Sequence, residues 1–312
     1  MAIYKDMNIL KSRIKSYTDN EELVFKLSTA TKFTFISSLF ALIGFTLTYL
    51  ILRIDIIFFE SHGYVLKAIS SDVYIDYVFQ NLWDVFPYIL FVFILIFCCG
   101  YYIAIVMMRP FKMIGEHCEE RMKNETRFYQ VDFFSDLKLL TSFSTFFFSK
   151  IDEARVKGKL DKVEIPPDFT NIHKPIYEKN FFLSYLLLVT MFGLLASLGI
   201  LLLNNEISEQ VAVLSSKLVR ENAQVKYFLT KQADIESLAI YSLLILHMIV
   251  NVLFGLHLYQ KIASPAFAVF ATLRSFLKGN YHNRIHLIGF YYLRNDCRKI
   301  NKYLDIIQKD LT

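Results

Sequence analysis

Residues 86–110 read FPYILFVFILIFCCGYYIAIVMMRP, and residues 238–265 read LAIYSLLILHMIVNVLFGLHLYQKIASP. Each opens as an apolar run free of Asp, Glu, Lys and Arg, at 86–108 and 238–259, and each leaves that run through a basic residue into a proline. A helix crosses the ~30 Å hydrocarbon core of a bilayer with roughly 20 apolar residues. Two further uncharged runs, 33–52 and 181–203, meet the same requirement. Paired spans (33–108) and an amphipathic stretch are therefore followed by paired spans (181–259) and a second amphipathic stretch. The exit prolines, Pro110 and Pro265, stand 155 residues apart. The pattern predicts an all-α multi-pass membrane protein: two transmembrane helical hairpins, each followed by a pair of amphipathic helices.

Composition agrees. The chain is 54% hydrophobic and 16% aromatic, with 30 Phe among 312 residues and a mean hydropathy of +0.38. Residues 1–32 are charged and lack the apolar core of a signal peptide, so the first span is expected to remain as an anchor. Lys and Arg number 6 in residues 1–32, 13 in 109–180 and 9 in 260–312, but only 2 in 53–85 and 4 in 204–236. The positive-inside rule then places the N-terminus, the middle loop and the C-terminus in the cytoplasm, with short outer loops at 53–85 and 204–236. No aromatic-basic module suggests nucleic acid as a partner. Cys98, Cys99, Cys118 and Cys297 show neither metal-ligand spacing nor a position on the oxidising side. No phosphate-binding glycine loop, nucleophile motif or kinase segment is present, so neither enzymatic activity nor a metal or cofactor is expected.

The N-terminal segment 1–32 carries an apolar stripe at Ile3, Met7, Leu10, Ile14 and Tyr17, interrupted at Asp19-Asn20. It suits packing on a partner or membrane surface, or on the chain's own helices. After Pro265, the residues Ala266, Phe270, Leu273 and Leu277 step by 4, 3, 4, and Lys278-Gly279-Asn280 ends that helix. A connector with Ile285 and Leu287 comes next. A last helix then carries Leu293, Cys297, Ile300, Leu304, Ile307 and Leu311, stepping 4, 3, 4, 3, 4. A connector of this length reaches back along a helix and lets both helices run parallel, whereas an antiparallel pair needs only a few residues.

Residues 264–311 resemble a HAMP domain, the parallel helix–connector–helix relay just inside the membrane in bacterial receptors and sensor kinases. The likeness rests on Pro265 at the start of the first helix, Gly279 fourteen residues on, Leu293 opening the second helix and Asn301 within it. The sequence departs from the family at Tyr291-Tyr292, where Asp-Glu is usual. A diverged first copy spans 109–151. Pro110, Phe111, Ile114, Cys118 and Met122 outline one helix, Lys123-Asn124 stands at the turn, and Ser135-Asp136 precedes Leu137. Leu137, Leu140, Ser144, Phe147 and Ile151 then outline the second. The aromatic stretch 143–148 fits either an exposed face awaiting a partner or a bundle core.

A HAMP bundle has four parallel helices, two from each of two chains, and this chain supplies four. The linker 152–180 has 29 residues, reaches up to about 95 Å when extended, and carries Pro166, Pro167 and Pro175. It is long enough to return to the membrane, so an intramolecular pseudo-dimer and a homodimer are both sterically open. In the spans, Gly193 and Ser197 form a small-xxx-small pair. His247 and Asn251, four residues apart on one helix face, suggest interhelical hydrogen bonding, with His257 near the cytoplasmic end. Ile207, Val211, Leu214 and Leu218 suggest that the third span's helix continues outward.

The resemblance implies a non-enzymatic signalling or adaptor protein of a bacterial cytoplasmic membrane. It would relay movement or partner binding through Pro110, Pro265, Gly279 and the stripe Leu293, Ile300, Leu304 and Ile307. Its expected partners are the lipid bilayer, itself and other helical proteins. The alternative is a structural or accessory subunit of a larger membrane complex, such as an ion-driven motor or a transport machine.

Overall fold

The computed structural model describes residues 20–61, 71–123, 138–173, 179–218 and 223–311. They form α1 (Glu21–Ser61), α2 (Ser71–Met122), α3 (Lys138–Lys157), α4 (Pro167–Thr170), α5 (Lys179–Leu218), α6 (Ala223–Leu277) and α7 (Arg294–Leu311), with a 3₁₀ turn at Tyr291–Leu293. No strand occurs among the described residues. The stripe at residues 3–17 and the position Leu137 lie outside them.

Local chemistry sets the helix ends. Asn20 Oδ1 accepts the Leu23 backbone N–H at 3.2 Å, and Glu21 and Glu22 fill the first turn of α1. A capping amide and two carboxylates satisfy the free N–H groups and the positive end of the dipole there. Helix α6 stops at Gly279, whose φ is +101°. Gly279 N–H donates to Phe276 O and Asn280 N–H to Ser275 O, the paired bonds of a Schellman cap. Gly158, at φ +67°, closes α3 in the same way, with Lys159 N–H donating to Ala154 O.

Among the described residues, four helices are long and apolar enough to cross a membrane: α1, α2 from Phe86, Phe182–Leu202 of α5, and α6. Only 22–33% of their most apolar windows is buried inside the protein. Phe35, Leu42, Phe91, Leu187 and Ile245 lie exposed along them, a surface that demands lipid as its solvent.

The helices also outrun the apolar runs. Helix occupies most of the stretches 53–85 and 204–236, expected from hydropathy as outer loops, because α1 carries on to Ser61, α2 starts at Ser71, α5 reaches Leu218 and α6 starts at Ala223. Neither 53–61 nor 204–218 contains Gly or Pro, so each established helix simply propagates. The segment 152–180 likewise begins as helix, since α3 ends only at Lys157. Pro265 lies inside α6 instead of opening a new helix.

The chain divides into two compact units. One consists of Met1–Thr29, Tyr101–Leu187 and Gly255–Thr312, and the other of Ala30–Gly100 and Leu188–Phe254. We call them the α7 unit and the apolar unit. In the α7 unit, contacts rise in register along neighbouring helices. Gly115 abuts Asp296, and Glu119 pairs with Lys299 at 2.8 Å, so α2 and α7 run the same way. Phe143 meets Phe270 and Phe147 meets Phe276, which orients α3 along α6. Phe143, Phe147 and Phe148 are buried. Their rings form the centre of a helix bundle in edge-to-face pairs, the geometry that the ring quadrupoles favour.

In the apolar unit, contacts fall in register along neighbouring helices. Phe33 meets Phe254, Ser37 meets His247, and Phe58 stacks on Phe228 at 3.8 Å between α1 and α6. Between α5 and α6, Ser197 meets His247 and Ser208 meets Glu236. Phe40, Ile200 and Leu243 form one buried apolar cluster there.

Candidate functional site

Proline removes a helix's i→i−4 hydrogen bond because it has no N–H. Pro265 therefore leaves the carbonyl of Lys261 without its helical donor. The Tyr292 hydroxyl donates to Lys261 O at 2.9 Å. The Tyr292 ring stacks on Phe25 of α1, with centroids 3.9 Å and planes 19° apart. Burial pushes the Tyr292 hydroxyl well above its ordinary range, so it keeps the proton it donates. Beside it, Arg294 pairs with Glu21 at 2.6 Å. Tyr292 thus joins three elements: α6, the turn before α7, and the start of α1. Tyr292→Phe keeps the stack but strands the carbonyl, which should lower the stability of the α7 unit by about 1–3 kcal/mol. The loss should appear as an earlier thermal unfolding midpoint in nanodiscs, and an unchanged midpoint would refute this role.

The connector is fastened from the other side by Asn301. Its Oδ1 accepts the Ile285 N–H at 2.9 Å and its Nδ2 donates to Ile285 O at 3.0 Å, so one side chain satisfies both backbone groups of one residue. Arg284 adds bonds to Asp305 and Gln308 on α7. The linker after α3 ties the far ends together. Leu160 N–H donates to Leu311 O and Val163 N–H to Leu277 O, so α6 and α7 finish at one level. Arg274 donates to Phe169 O and Ile172 O, each at 2.8 Å, at the C-terminal end of α4, where free carbonyls favour a cation.

The residues singled out in the sequence divide by place. Pro110, Leu140, Phe147, Pro265, Phe270, Leu273, Leu277, Leu293, Ile300, Leu304 and Ile307 are buried in the α7 unit. Gly279 and Asn301 are half-buried. His247 and Asn251 are buried in the apolar unit. Ser197 Oγ lies 2.8 Å from His247 Nδ1 and Ser37 Oγ lies 3.4 Å from Nε2, while Asn251 Nδ2 donates to His247 O. Gly193 faces Met248 and Asn251, where a side chain would crowd them.

Sequence reasoning missed the roles of Tyr292, Arg274 and Asp296. Only the proline spacing offered a clue to the first, because residue 261 lies four before Pro265. Asp296 sits in the first turn of α7, 8% exposed, against the backbone face of α2 at Gly115. Burial pushes its carboxyl up to about 6. Lys299 opposes this, Glu22 and Glu116 add to it, and Lys112 opposes it.

The folded state thus holds a proton that the unfolded chain releases near its ordinary pKa of 3.8. Asp296 favours folding below that value, and the benefit is lost as pH rises through about 6. Asp296→Asn should therefore flatten this acid-side slope and stabilise the unit by roughly 1–3 kcal/mol at pH 7. Thermal unfolding of wild type and variant at pH 5 and pH 7 checks the prediction. Parallel responses would remove Asp296 as the cause.

Cys118 and Cys297 are reduced and buried, and burial pushes the Cys297 thiol up to about 12. Among the described residues, no group of three or more His, Cys, Asp or Glu could hold a metal ion. Compared with known proteins, the chain matches no family model, no curated protein and no solved structure.

Proposed function

We propose that the chain is a non-enzymatic signalling or adaptor protein of a bacterial cytoplasmic membrane. Its two transmembrane hairpins are coupled to two HAMP-like units that form a single bundle within one polypeptide. The observation that carries this reading is the common direction of the bundle helices: 115 to 296 and 119 to 299 between α2 and α7, and 143 to 270 and 147 to 276 between α3 and α6. The charge distribution supports cytoplasmic termini. Helices α2 and α6 each contribute residues to both units. Movement of the spans would pass along them through Pro110 and Pro265. A bistable bundle turns such a displacement into a discrete change for a bound partner.

The fastenings at Tyr292, Asn301 and Arg274 favour a second reading, a rigid accessory subunit of a larger membrane machine. Purification of the tagged full chain from its native membrane, followed by identification of its partners, separates the two. A receptor, kinase or cyclase whose activity changes with Tyr292→Phe while still bound supports the relay. Stoichiometric motor or transport subunits, indifferent to Tyr292→Phe, support the platform and overturn the relay.

A further inference from the structure

In the apolar unit, three residues past the end of the uncharged run 33–52, Asp55 of α1 is completely buried. Its Oδ2 accepts from Gln232 Nε2 of α6 at 2.8 Å. Its Oδ1 and the carbonyl oxygen of the same Gln232 are both buried with no hydrogen-bond partner. Glu236 stands one helical turn beyond Gln232, on the same face of α6, is 8% exposed, and accepts the Ser208 hydroxyl of α5 at 2.7 Å. Among the described residues, neither Asp55 nor Glu236 pairs with a lysine or arginine. Arg53 and Glu60, the charged residues nearest in sequence on α1, are exposed, as are Glu206 and Glu209 on α5.

The hydrogen count is lopsided. An ionised carboxylate brings two acceptor oxygens, and the amide brings one acceptor and one donating nitrogen. Their shared bond uses the donor and one acceptor and leaves two buried acceptors without a donor. Turning the amide over exchanges its nitrogen and oxygen but does not change the count. An unpaired buried carboxylate oxygen is expensive, and a second carboxylate nearby makes the negative charge more so. A proton on Oδ1 converts that oxygen into a donor, and the amide already bonded to Asp55 carries a buried acceptor, Oε1, that lacks one. Acid and amide then satisfy each other.

We infer that Asp55, Gln232 and Glu236 form a proton-binding site in which Asp55 is carried as the neutral acid and Gln232 holds it. The inference does not depend on the relay reading. A proton site at this place would make the helices of the apolar unit sensitive to pH, through ionisation of Asp55 against Glu236.

Infrared difference spectroscopy of the full chain in nanodiscs tests it. Wild type should show a protonated carboxyl band at neutral pH that Asp55→Asn removes. Because asparagine also offers a donor to Gln232 Oε1, that variant should keep the wild-type melting temperature. Glu236→Gln retains the acid and lowers its proton affinity severalfold, moving the band's loss to lower pH, so the site remains testable even if Asp55→Asn fails to assemble. A missing band in both wild type and Glu236→Gln overturns the inference. So does an Asp55-dependent rise in melting temperature on adding sodium or potassium, which would make the occupant a metal cation.

Discussion

Leu304→Asp is expected to unfold the helix bundle of the α7 unit while the chain stays in the membrane. Leu304 is fully buried on α7, in one stripe with Ile300 and Ile307, which are 1% and 0% exposed. Aspartate there loses the buried apolar side chain, which alone is worth about 2–5 kcal/mol. It also faces a choice between burying an unpaired charge and paying to protonate it. The sum approaches the whole stability of a typical domain, about 5–15 kcal/mol. Two native thiols report the outcome, because Cys118 and Cys297 are 1% and 6% exposed in the same unit. Both should react with a maleimide in the variant at rates far above wild type. Unchanged labelling would show that α7 does not hold this unit together. The four apolar spans bury little of their surface in the protein, so membrane insertion should survive.

The second large effect belongs to Gly100 in the apolar unit. A Cβ at this position would lie 2.9 Å from Ala30 Cα and 3.2 Å from Phe33 Cβ. The nearest of these atoms is backbone, so no side-chain rotation relieves the clash. Alanine gains about 1 kcal/mol of helix propensity over glycine. Overpacking costs typically 1–3 kcal/mol and more when helix axes must separate. Gly100→Ala should therefore weaken the α1–α2 contact despite the better propensity. Gly199→Ala is the matched control, since its Cβ would meet only Val92 Cγ1, at an ordinary 3.6 Å. The comparison is a thermal melt of both variants in the same lipid. Equal midpoints would show that the close approach at Gly100 carries no energetic weight.

The apolar spans were legible because their signal is local: an unbroken run of uncharged residues announces itself without reference to any neighbouring helix. The stripes Phe270–Leu273–Leu277 and Ile300–Leu304–Ile307 were legible for the same reason, as a 3–4 spacing marks one helix face whatever packs on it. The aromatic stretch 143–148 was ambiguous, because an exposed face and a core have the same periodicity. Only the positions of Phe270 and Phe276 decide between them. The bond from Tyr292 to Lys261 joins residues 31 apart, and Asp55 meets Gln232 across 177. Neither leaves a mark in the local pattern. Tyr292 registered only as a departure from the resembled family, and Asp55 only as a residue beyond a span. The length of α1 was underestimated because polar residues ended the hydropathy signal before anything ended the helix, whereas the 4, 3, 4 spacing from Ile207 to Leu218 marked the outward continuation of α5.

The linker bonds also impose an order of events. Leu160 and Val163 take their partners from residues 311 and 277 respectively, made more than a hundred positions later. At a typical synthesis rate of about 5–20 residues per second, the first half of the bundle waits on the order of ten seconds for the second. Throughout that interval Phe143, Phe147 and Phe148 have neither Phe270 nor Tyr303 to cover them. A newborn chain therefore presents a phenylalanine-rich helix before it can close on itself, so the apolar surface that this unit leaves uncovered peaks midway through translation.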